Sequence, residues 1–102
     1  MTTETIHEAA KAAYRVYFGT RITRQWHTDS VPVQRRWERV AAMVLNGNIK
    51  RPPDLRFRYF EGYFCVRPWE DIPRLERDRW DRALESIKWV GDAAMIAGKD
   101  AA

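Results

Sequence analysis

Residues 12 to 39, AAYRVYFGTRITRQWHTDSVPVQRRWER, align without a gap on residues 55 to 82, LRFRYFEGYFCVRPWEDIPRLERDRWDR, at a constant offset of 43 positions. Arg15/Arg58, Gly19/Gly62, Arg24/Arg67, Trp26/Trp69, Arg36/Arg79, Trp37/Trp80 and Arg39/Arg82 are identical pairs, and Tyr14/Phe57, Tyr17/Phe60 and Glu38/Asp81 keep their chemistry. One supersecondary unit used twice restricts the architecture more than propensities do. In each copy two tryptophans stand eleven positions apart, Trp26 with Trp37 and Trp69 with Trp80. The first precedes a helix start and the second falls on that helix's apolar face. These four indoles read as structural rather than ligand-stacking, the first of each pair folding back on the first turn and setting the angle at which the loop enters.

The flanking letters supply the rest of the unit. Thr5 with Glu8 has the form of a capping box, and Ile6, Ala9, Ala10, Ala13 and Tyr17 recur at helical spacing, which predicts a first helix to about Phe18. Gly19 closes it and a loop follows. Ser30 reads as an N-cap with Pro32 in the first turn of a helix over 31–46. Val33, Trp37, Val40, Ala41 and Val44 share one face of it, with Arg35 and Arg39 opposite. Residues 47–53 read as a stiff, charged connector, since Pro52-Pro53 favours an extended path.

Residues 54–66 read in two ways. By analogy with the first copy, 54–61 is a short helix closed by Gly62. By their own alternation, Leu55, Phe57 and Tyr59 against Arg56 and Arg58, they suit a short β-hairpin around 56–66. Asp71 reads as the cap of a last helix, with Pro73 in its first turn and an end near Ala97. Trp80, Ala83, Leu84, Ile87, Val90 and Ala94 form its core stripe. Trp89 lies on the opposite side, where it either packs beneath another segment or anchors a partner. The expected fold is all-α: one domain over 1–102 built from two tandem helix-loop-helix units, with a long C-terminal helix and a flexible tail at 98–102.

Composition suits this picture. Of 102 residues 45% are hydrophobic, and five Trp, four Tyr and four Phe supply a core. No apolar run approaches the roughly 20 residues that span a bilayer, and no signal core follows a charged start, so a cytoplasmic protein without a membrane partner is expected. Cys65 is alone, which excludes an internal disulfide. The net charge of +4 is unevenly spread: residues 12 to 60 carry +7 and residues 61 to 102 carry −2. Arg outnumbers Lys fourteen to four, favouring bidentate contacts to carboxylate or phosphate.

Chemistry-bearing constellations are sparse. His7, His27 and one thiol make no metal site, and the single Glu4/His7 pair falls short of a helical di-iron set. Ser30, Ser86 and Cys65 have no base placed near them by sequence. Glu70-Asp71 and the pair Asp78/Asp81 sit among arginines and read as solvated ion pairs. A non-enzymatic protein without metal or cofactor is expected. Binding is the better class, and two versions compete. Tyr63, Phe64 and Trp89 would anchor a protein partner with Arg35 and Arg39 on the rim; or Arg35, Arg36, Arg39, Lys50, Arg51, Arg56 and Arg58 would meet nucleic acid or a nucleotide. A third version pairs two copies through the last helix around Met95 and Ile96.

Two resemblances attach to particular strings. Trp69-Glu70-Asp71-Ile72-Pro73-Arg74-Leu75-Glu76-Arg77-Asp78-Arg79-Trp80 resembles the helix start of high-mobility-group boxes. The segment before it is not the helix such a box requires. Ile6-His7-Glu8-Ala9, then Ala13-Tyr14, a loop, Trp26 and a helix that begins at a proline resemble small phage-encoded helical proteins over residues 6–45. Some of those precede a ryanodine-receptor-like repeat, whose Gly-Trp-x-Tyr-Gly is absent here. What the phage resemblance implies is an accessory role: occupying and blocking a host macromolecular complex, with antiviral defence complexes, in the manner of an anti-CRISPR inhibitor, as the leading target.

Overall fold

Thr2, rather than Thr5, caps the first helix of the computed structural model, which describes residues 2–19 and 25–98. Helix α1 (Thr3–Phe18) begins where the Thr2 hydroxyl oxygen accepts the Thr5 N–H at 3.1 Å. Thr5 is itself buried within the first turn, where its own N–H is the one capped. The middle of the first loop, with Arg24 of the Arg24/Arg67 pair, and tail residues 99–102 lie outside the described residues.

Helix α2 (Val31–Leu45) follows a 3₁₀ turn at Trp26–Thr28. Ser30 holds the cap position in extended backbone, but its side chain makes no capping bond. Asp29 Oδ1 accepts the Ser30 N–H at 2.8 Å, which fixes the cap residue's own backbone rather than a first-turn amide. Gln34 Nε2 donates to the Trp26 carbonyl at 2.6 Å and ties the turn to the helix.

The proposed connector is in part a helix. Helix α3 (Pro52–Tyr59) places both prolines in its first turn, where a missing N–H breaks no intrahelical bond. Arg51 before them is extended, as a residue preceding proline prefers. The hairpin reading of 56–66 does not form, and no strand occurs among the described residues. Leu55 and Tyr59, four apart, face the core, and Phe57 between them is left in solvent.

Helix α4 (Arg74–Ile96) starts after Pro73, not after Asp71, because Trp69–Asp71 form a second 3₁₀ turn. The fold is thus all-helical. Its elements recur at the sequence offset: the turns start at Trp26 and Trp69, their helices at Val31 and Arg74, and Gly19 and Gly62 both adopt positive φ, at 69° and 91°. Val40/Ala83, Ala41/Leu84 and Val44/Ile87 are buried as pairs.

At the centre Trp37 and Trp80, both fully buried, stack with ring centroids 5.7 Å apart and planes 22° from parallel. Tyr17 of α1 and Tyr59 of α3 close on the stack, 4.6 Å from Trp80 and 4.8 Å from Trp37 respectively. Aromatic groups that each withdraw about 150–250 Å² from water thereby join all four helices. Of the outer indoles, Trp26 packs edge-on against Tyr14 and His7 of α1, and Trp69 is half-buried. Trp89 does not pack beneath another segment; it is 72% exposed.

Candidate partner-binding surface

The short helix α3 ends with carbonyls that need donors, and two arginines of α2 supply them. Arg36 Nη1 donates to the Tyr59 carbonyl at 2.8 Å and Arg39 Nη2 to the Arg58 carbonyl at 2.6 Å. Cations at a helix C-terminus also meet the negative end of its dipole. Glu61 completes the cluster, 3.6 Å from Arg39 and 3.0 Å from Arg58. Arg36 further lays its guanidinium 4.1 Å from the Tyr63 ring centroid. Of the basic residues singled out by sequence, Arg36, Arg39 and Arg58 are therefore engaged within the chain. Arg35, Lys50 and Arg51 are exposed. Arg56 points inward: it is only 8% exposed, donates from Nη1 to the Arg67 carbonyl at 2.7 Å, and sits 5.4 Å from the Phe60 ring.

This clamp holds the loop of residues 60–68 against α3. Gly62 turns at φ 91° and Cys65 follows at φ 58°, a left-handed conformation uncommon outside glycine. The result is an apolar projection in which Phe64 is 95%, Phe57 68% and Tyr63 51% exposed, with Val66 beside them. Between α3 and the loop lies a groove of about 500 Å³, walled by Phe57, Phe60, Tyr63, Val66 and Trp69, with Arg56 and Arg67 along it. On α4, Leu75, Trp89, Met95 and Ile96 are also exposed, and Glu85, Lys88 and Asp92 surround Trp89.

The structure thus brings Tyr63 onto one groove with Phe57, leaves Phe64 exposed beside Tyr63 in the chain, and places Trp89 on a separate helix. Phe57, Val66 and Trp69 are the surface residues that sequence reasoning missed. The repeat held a signal for Phe57. In the first copy the Tyr14 hydroxyl donates to Asp29 Oδ2 and Tyr14 is buried. The second copy has Phe57 and Ile72 at those positions, so neither member of the bond survives and the ring is released outward.

The proton affinity of Tyr17 departs clearly from the ordinary. Burial, reinforced by the Glu76 carboxylate to which its hydroxyl donates at 3.2 Å, pushes it up to about 12. It supports packing of α1 on α4 and is remote from the groove lining. Among the described residues no three His, Cys, Asp or Glu side chains converge as metal ligands, and no helix is long and apolar enough to cross a membrane. No family model, curated protein or solved structure matches the chain, so its function is argued from this surface and from sequence pattern.

Proposed function

We propose that this chain is a non-enzymatic binding protein of the phage accessory type, which occupies and blocks a surface of a host macromolecular complex. Complexes that handle nucleic acid, antiviral defence complexes among them, are the leading targets, and the cytoplasm of an infected cell is the expected setting. The observation that carries the reading is the exposure of Phe57, Tyr63 and Val66 around one groove beside Arg56 and Arg67, with Phe64 exposed next to Tyr63 in the chain. Exposed patches of large apolar groups on a small protein mark interaction sites, and aromatic residues with arginine are the types that dominate interface energetics. Direct binding of nucleic acid is the less favoured version, because Arg36, Arg39 and Arg58 are already held by carbonyls or Glu61.

The test is affinity capture from host lysate with and without nuclease, comparing the natural chain with a Tyr63→Ser/Phe64→Ser variant. Capture that survives nuclease and falls at least tenfold in the variant, at unchanged melting temperature, is the expected result. Capture abolished by nuclease, or affinity that drops steeply with salt and is flattened by Lys50→Ala/Arg51→Ala, would replace a protein partner by a polyanion.

A further inference from the structure

We infer that the groove between α3 and the 60–68 loop receives a carboxylate side chain of a partner protein, flanked in that partner by an aromatic or aliphatic residue. The inference rests on the protein-binding reading and specifies the chemistry of the segment recognised.

Arg56 carries the argument. More than nine-tenths of it is buried, no carboxylate among the described residues pairs with it, and its Nε has no hydrogen-bond partner. Its one hydrogen bond runs from Nη1 to the Arg67 carbonyl, and Phe60 offers only a ring face. A cation withdrawn from water without a counter-charge is costly, and a carboxylate brought to it recovers much of that cost. The planar guanidinium fork also matches carboxylate geometry.

The walls decide between anions. Asp54 and Glu61 lie along the same groove as Arg56 and Arg67, so a singly charged carboxylate meets less repulsion there than a phosphate dianion. Phe57, Tyr63, Val66 and Trp69 give an apolar residue next to that carboxylate somewhere to bury. Phe64, exposed and next to Tyr63 in the chain, offers further apolar surface, which suits a chain that continues past the groove rather than a free small acid. A volume of about 500 Å³ is ample for two side chains and lies within the usual range for ligand pockets.

The probe is a displayed library of random heptapeptides panned against the full chain. Enrichment of Asp or Glu next to Phe, Trp, Leu or Ile is expected, and the selected peptide, synthesised, should shift the Trp69 indole N–H resonance. Replacing its acid by the corresponding amide should weaken binding at least tenfold, and so should Arg56→Met. Because Arg56 is buried and its loss can harm folding, Phe57→Ser serves as the independent variant, and it too should weaken the peptide while leaving the melting temperature in place. No enrichment, enrichment of basic or uncharged peptides, equal binding of the amide form, or displacement by a single-stranded oligonucleotide would overturn the inference. If lysate capture still depends on Tyr63 and Phe64 in that event, the broader binding reading stands and only the carboxylate specificity falls.

Discussion

Tyr17 shows how one side chain records its surroundings. Burial and the neighbouring Glu76 hold its proton to about 12, against 10.0 for an ordinary tyrosine. Between those two values the unfolded chain releases the proton and the folded chain keeps it. The unfolded state then binds fewer protons, so stability falls as pH rises through this window and is fully present below pH 10. Urea midpoints measured at pH 9 and pH 11.5 should separate further for the natural protein than for Tyr17→Phe. Cys65 gives a second test at this scale. Its φ of 58° costs a residue with a side chain about 1 kcal/mol relative to glycine. Cys65→Gly should therefore raise the unfolding free energy by roughly 0.5–1 kcal/mol in urea titration. Neither property was legible in the sequence, because both depend on neighbours brought in by the fold. The paired tryptophans were legible, since recurrence at a fixed offset marks positions under the same packing demand.

Among the elements, α2 and α4 were readable because each has a long apolar stripe, and the repeat located both starts to within a few residues. Asp71 misled because it carries capping chemistry, yet the 3₁₀ turn after Trp69 consumes it and leaves Pro73 at the helix boundary. Helix α3 was ambiguous for a physical reason. It has only eight residues, too few to be stable alone, and the donors that satisfy its last carbonyls come from Arg36 and Arg39, 23 and 19 positions away. Local letters cannot report such a cap. Arg36→Ala should cost about 1–3 kcal/mol, the range for a hydrogen bond from a charged donor. Hydrogen exchange should quicken first at the α3 amides, while α1 and α4 keep their protection. Thr2→Ala, at the opposite end, should cost about 1 kcal/mol with fraying confined to the first turn of α1.

For the molecule as a whole, the two related units share one core instead of each having its own. Trp37 is fully buried only because Trp80, Tyr59 and Tyr17 surround it. A fragment of residues 1–50 should accordingly fail to unfold cooperatively on heating. Trp80→Ala in the full chain should lose about 3–5 kcal/mol by denaturant titration. The groove was the least legible feature, because it arises where the second copy departs from the first: Phe57 for Tyr14 and Ile72 for Asp29. The positions where the two copies agree form the shared core, and the positions where they differ leave Phe57 exposed.

The near-parallel pair Trp37/Trp80 also equips the protein with an intrinsic optical gauge. Both indoles are held fully buried in a fixed asymmetric setting, so near-ultraviolet circular dichroism should carry a tryptophan signal from the stack. That signal vanishes once the halves separate, even while far-ultraviolet ellipticity persists, so loosening of the halves can be timed apart from helix melting without any added label.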